Sequence, residues 1–157
     1  MKIYSNLRAA RLVIGLAAIS VVATPAVSQL REWQDYEVSD GVVSMTLVDL
    51  DPGTQDIYLE GLRDTWVGAN EVAKRLGHIK DYAIYQNQYG AADEFDLVLV
   101  VEMENTTDIA PNRARYNQFM QEWGEQRLEQ GNKTVLELYN KIREIKGEYL
   151  LREITLK

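Results

Sequence analysis

The order of hydrophobic periods along the chain predicts an α+β fold of the β-α-β-β-α-(α)-β type, a four-stranded antiparallel sheet with helices on one face. Three observations carry this expectation. Stretches of period two (residues 42–50, 82–86, 95–104 and 148–156) alternate with stretches of helical period (57–76, 113–128 and 134–145). Turn and stop residues fall between them: DPGT at 51–54, Gly77, the polar run 87–94, Gly131-Asn132 and Gly147. The third is the 95–104 strand itself, which is apolar on both sides (Leu97, Leu99, Val101 against Val98, Val100) and therefore reads as central.

Residues 1–28 stand apart from this pattern. Lys2, Arg8 and Arg11 precede an uncharged run from Leu12 to Thr24, the charged and apolar regions of a secretory signal peptide, too short to span a bilayer. Ala26 and Ser28 form an A-x-S site, predicting cleavage before Gln29, a mature chain of about 129 residues, and a secreted, bacterial periplasmic location. The chain has no cysteine, so neither disulfides nor a lipobox are available and a core must supply the stability. Loss of the three N-terminal cations takes the net charge from −7 to about −10. So acidic a surface argues against nucleic acid as a partner, and against an anionic membrane once the signal is gone.

Residues 29–41 are polar apart from Trp33 and Tyr36 and read as a leader that packs loosely ahead of a domain spanning 42–157. In the first strand, 42–50, Val43, Met45 and Leu47 point one way and Ser44, Thr46 and Val48 the other. Asp51-Pro52-Gly53 makes a turn, and Thr54 is placed to accept hydrogen bonds from the first helical N–H groups. Ile57, Gly61, Leu62, Thr65, Trp66, Ala69, Val72, Ala73 and Leu76 then recur on one helical face, and Gly77 stops it. Gly61 and Gly68 each cost about 1 kcal/mol of helix propensity relative to Ala, so packing must support this helix. The second strand carries Tyr82, Ile84 and Gln86 on one side and Ala83 and Tyr85 on the other. After the third strand Asp108 is a candidate cap. A helix runs from Arg113 through Tyr116, Phe119, Met120 and Trp123 to Leu128, and Gly131-Asn132 breaks it. A second helical piece, 134–145, ends at Gly147, and 148–156 closes the sheet. The bare face bearing Val98, Val100 and Val48 would expose a large apolar patch, which pairing two sheets in a homodimer would cover.

With these elements in place, VSMTLVDLDPGTQDIYLEGLRDTW, the pair DYAIYQNQYG and FDLVLVVEM, and the terminal EYLLREI resemble the dimeric α+β barrel superfamily, whose protomer is ferredoxin-like. The likeness is nearest to its uncharacterised secreted members and covers most of 42–156. It implies the fold and a homodimer. The superfamily also holds cofactor-independent monooxygenases, haem-degrading enzymes and isomerases, and fold does not choose among them.

His78 could act as a base or ligate haem iron, but it follows a helix stop, where polar residues commonly serve as caps or surface groups. Ser44, Thr46 and Glu102 are polar on the face expected inside the dimer. There Glu102 is either paired, with Arg152 as counter-charge, or poised for proton transfer. Trp66, Tyr82 and Tyr85 could wall an aromatic pocket, or pack as ordinary amphipathic residues; only one of the two tyrosines can face the barrel. Asp49, Asp51, Asp93, Glu94 and Asp96 lack the spacing of a calcium loop. A lone histidine without cysteine gives no structural zinc site, and no metal or cofactor is expected. The residues thus point to a secreted homodimer that binds a small apolar or aromatic molecule, with Trp66, Tyr82, Tyr85, Thr46 and Arg152 around it. Two alternatives stay open: a cofactor-independent monooxygenase or isomerase using His78 or Glu102, and a structural or partner-binding homodimer without a ligand.

Overall fold

The computed structural model describes residues 29–89 and 94–157. The segment read as a signal peptide and Asp93 lie outside the described residues. In chain order the elements are β1 (Tyr36–Val38), β2 (Val42–Leu50), α1 (Gln55–Leu62), a π turn (Arg63–Val67), α2 (Gly68–Arg75), β3 (Asp81–Gln86) and β4 (Leu97–Met103). A 3₁₀ turn (Thr106–Ile109), α3 (Arg113–Trp123), α4 (Glu125–Thr134), a second π turn (Val135–Tyr139), α5 (Asn140–Ile142), β5 (Arg143–Leu151) and β6 (Ile154–Leu156) follow. The main sheet is antiparallel in the order β3-β4-β2-β5, the ferredoxin-like arrangement, with the helices on one face. The strand rich in apolar residues on both sides, β4, lies inside the sheet as expected.

Register decides what each face carries, because residues directly opposite one another share a face. The rows Tyr82–Val101–Ser44–Leu150, Ile84–Leu99–Thr46–Glu148 and Gln86–Leu97–Val48–Ile145 face the helices. The rows Asp81–Glu102–Val43–Leu151, Ala83–Val100–Met45–Tyr149 and Tyr85–Val98–Leu47–Gly147 form the uncovered face. This corrects the assignment of β2: Val48, Ser44 and Thr46 look toward the helices, and Val43, Met45 and Leu47 take the bare side beside Glu102. Both sides of β2 carry apolar residues, so alternation alone could not orient it.

The core joins Val48, Leu97 and Leu99 of the sheet to Tyr58 and Leu62 of α1 and Tyr139 of the second π turn, all 5% exposed or less. Each such burial contributes roughly 1.5–3 kcal/mol. The first π turn adds a residue to what would otherwise be one helix, so the apolar face is not a single stripe. Tyr58 points inward and Ile57, expected on that face, is half exposed. Gly77, at φ +69°, closes α2 in a Schellman turn: its N–H donates to Lys74 O (3.0 Å) and that of His78 to Ala73 O (2.8 Å).

Other boundaries differ from expectation. The helical break falls at Gly124 (φ +85°), and α4 continues through Gly131-Asn132, since only the former glycine needs a conformation closed to other residues. The helical piece stops at Ile142, and Gly147 is a strand residue opposite Leu47. Thr54 makes no side-chain cap; its hydroxyl donates to Asp51 O (2.7 Å). The cap of α3 is Asn112, whose side chain accepts from Arg115 N (3.1 Å), and not Asp108, which instead closes a capping box on the preceding 3₁₀ turn by accepting from Asn105 N (3.1 Å). The residues read as a loose leader contain β1, which pairs with β6 in a two-stranded sheet of its own.

β5 carries a bulge. Leu47 pairs with Gly147 but Val48 with Ile145, leaving Lys146 as the extra residue. The extra residue reverses the alternation of the strand. Tyr149 faces the bare side while Arg143, of the same parity, pairs with Leu50 and faces the helices.

Candidate functional site

A crevice runs across the helical layer between the first π turn with its flanking helices and α4 with the second π turn. Two hollows, of about 440 and 230 Å³, share Thr65, Trp123, Arg127 and Gly131 as lining residues. Trp66, Tyr139 and Arg143 line the smaller, more apolar one. Glycines set the width of this space. A Cβ on Gly61 would stand 2.7 Å from the Tyr139 hydroxyl, and one on Gly68 3.1 Å from the Trp123 ring, so the backbone approaches those aromatic rings closely.

Tyr58, Tyr139 and Arg143 form a compact group at the inner end. The two phenol rings meet edge to face at 4.9 Å. Arg143 Nη1 donates to the Tyr58 hydroxyl at 2.5 Å, and its guanidinium carbon lies 4.9 Å from the Tyr139 ring centre and 5.5 Å from that of Tyr58. Thr65 Oγ1 donates to Gly61 O (2.9 Å), so its contact with the Tyr139 hydroxyl (2.9 Å) is one in which the phenol donates. Burial pushes both phenols above their ordinary pKa; at Tyr58 Arg143 opposes the rise. At the rim the exposed Arg127 lies 5.4 Å from the Trp123 ring centre.

The residues singled out from the sequence are dispersed by comparison. Trp66 lines the crevice and packs edge to face with Tyr82 at 5.5 Å, which puts Tyr82 behind the wall. The Tyr82 hydroxyl donates to Glu71, which pushes its pKa up to about 12. Tyr85 lies on the uncovered face, 58% exposed. His78 lines a separate hollow with Asp108, Arg115 and Phe119 and lies 3.2 Å from Gln118 Oε1. Glu102 pairs with Lys80 (3.6 Å) at the end of the bare face, and Arg152 does not reach it: Arg152 donates to Ser39 O (2.7 Å) and sits 3.9 Å from Asp40. Thr46, on the helix-facing side, cannot share a surface with Glu102.

Arg143 was not legible as a site residue, since its orientation depends on a bulge that no local pattern announces. Gly61 and Gly68, seven residues apart and so on one face of a helix, were the available signal that something packs close to this helix. Among the described residues no cluster of three or more His, Cys, Asp or Glu could hold a metal ion, and no helix is long and apolar enough to cross a membrane.

No family model and no curated protein matches the chain. Among solved structures it is similar to HapK from Hahella chejuensis, with 12% identity, a TM-score of 0.42, and 71% of this chain and 91% of that one covered. It is also similar to a dimeric ferredoxin-like protein of unknown function from Thermobifida fusca YX, with 9% identity, a TM-score of 0.39, and 74% and 92% covered.

Proposed function

We propose that the protein is a secreted, periplasmic homodimer that binds a small apolar or aromatic molecule in the crevice of its helical layer. One observation carries the reading: three one-residue irregularities converge on this space. The two π turns supply Thr65, Trp66, Val135 and Tyr139, and the β5 bulge turns Arg143 toward them. π turns and bulges cost regular hydrogen bonding and recur at functional sites. Apolar walls with a few convergent polar groups are what a small-molecule site requires. Base catalysis by His78 or Glu102 would need one of them in the crevice, and neither lines it.

The homodimer rests on the uncovered face, where the partly exposed Met45, Leu47 and Val98 surround the buried Val100 and are flanked by the exposed Tyr85 and Tyr149. Two such faces packed together would remove them from water. Native mass spectrometry of the protein purified from the periplasm tests the reading as a whole. Dimers of a chain beginning at Gln29 with a reproducible added mass are expected, and Met45→Glu should yield monomers, because a carboxylate buried opposite itself lacks a partner. Bare monomers of the unmodified protein would overturn it.

A further inference from the structure

We infer that the ligand of the crevice is an aromatic or amphipathic anion, whose carboxylate or comparable acidic group is held by Arg143 at the inner end while its apolar body lies against Trp66 and Trp123, with Arg127 as a second cation at the rim. The inference rests on the crevice reading and adds the chemical class.

The argument comes from how the arginines are distributed. Arg31, Arg75, Arg115 and Arg152 each have a carboxylate within ion-pair distance. Of the four described arginines without one, Arg63, Arg127 and Arg143 line the two hollows and only Arg113 lies elsewhere. In a protein with a net charge of −7 this is a local concentration of cations, and the one carboxylate among the lining residues is Asp64, whose charge also reaches Tyr139. Arg143 is the decisive member. It is half-buried and spends one of its five N–H groups on Tyr58, and no buried side-chain nitrogen or oxygen in the described residues lacks a partner, so its remaining donors open onto accessible space. A guanidinium bonded to one phenol and in cation–π contact with two rings is restrained in orientation, and its free edge matches a planar oxyanion. Arg127 over Trp123 offers a second cation at the rim, with aromatic surface between the two. A cationic ligand would meet like charge at both ends, and a neutral one would leave both guanidiniums without a counter-ion.

The test compares 2-naphthoate with its neutral amide by calorimetry, with Trp66 and Trp123 indole resonances followed by NMR. Naphthoate is expected to bind at least about tenfold more tightly than the amide and to shift both indoles, because a charge-assisted contact is lost in the amide. Arg143→Met should abolish the preference. Arg127→Gln, at an exposed position, should reduce it severalfold and keeps the inference open to refutation if the Arg143 variant fails to fold. Equal affinity for acid and amide, or a preference unchanged in Arg127→Gln and Arg143→Met, would overturn the anion inference while leaving the crevice reading intact. Failure of both probes to bind, or binding that moves neither indole, would overturn the crevice reading and the inference with it.

Discussion

Replacing the three glycines of the crevice by alanine should give a graded series, because helix propensity favours every change by up to about 1 kcal/mol while the space available differs at each. At Gly61 the new methyl would sit 2.7 Å from the Tyr139 hydroxyl and 3.0 and 3.2 Å from two of its ring carbons. That ring cannot step aside: it is 2% exposed, packed on Tyr58 at 4.9 Å, bonded to Thr65 and covered by Arg143. Overpacking costs about 1–3 kcal/mol, and a displaced Tyr139–Thr65 hydrogen bond adds about 1 kcal/mol. Gly61→Ala should therefore lose about 1–3 kcal/mol net of its propensity gain. At Gly68 the nearest atoms are 3.1 Å away on the Trp123 ring, which borders open space and can yield by a few tenths of an ångström, so the terms nearly cancel, to within about 0.5 kcal/mol. At Gly131 the nearest atom is a Thr65 methyl at 4.0 Å, and the propensity gain of about 0.5–1 kcal/mol should survive as stabilisation. Urea unfolding followed by far-UV circular dichroism, at constant m, measures the series. A Gly61→Ala protein as stable as the parent, or a Gly131→Ala protein less stable than Gly61→Ala, would refute the packing of the crevice described above.

Gly124→Ala should cost about 1–3 kcal/mol by the same measurement although nothing lies within 4 Å of its Cβ, because φ +85° with ψ 147° is a conformation reserved to glycine. The Tyr82 phenol, raised to about 12 by its bond to Glu71, should ionise after the ordinary tyrosines in an ultraviolet titration, and Glu71→Gln should return it toward about 10. Since the folded value lies above the unfolded one, the stabilisation from this contact is complete below pH ~10 and is lost as the pH rises toward 12, so the Glu71→Gln and parent proteins should differ less in stability at the alkaline end.

The fold was legible because its signals are local and redundant. The turn at Pro52-Gly53, the stop at Gly77 and the doubly apolar β4 each mark a boundary or a place in the sheet, and together they leave one topology. The faces were harder to read. β2 has valine, methionine or leucine on both sides, so only pairing with β4 tells Val48 from Leu47. The helix end was read at Gly131 and not at Gly124, and what separates the two is the backbone angle at Gly124 (φ +85°), which the local sequence does not reveal. The site was the least legible part because its residues are brought together by departures from periodicity. Trp66 was found, being an aromatic on a helical stripe. Arg143 was missed because it was read as part of the helical piece 134–145, whereas the strand starts at Arg143 itself and a bulge then sets its side, and the pairing expected for Arg152 with Glu102 failed because β5 ends before Arg152, which turns instead to Ser39 and Asp40.

The π turns and the bulge also say how this crevice could change. Each amounts to one surplus residue, and removing one from a helix rotates everything beyond it by about 100° relative to the sheet, while removing one from a strand exchanges its two sides. A related chain shortened by a single residue within 63–67, within 135–139 or at 146 could keep every strand and helix and still present other side chains to the crevice. Substitution would adjust the affinity of such a site by degrees; a one-residue deletion would replace its inventory in a single step.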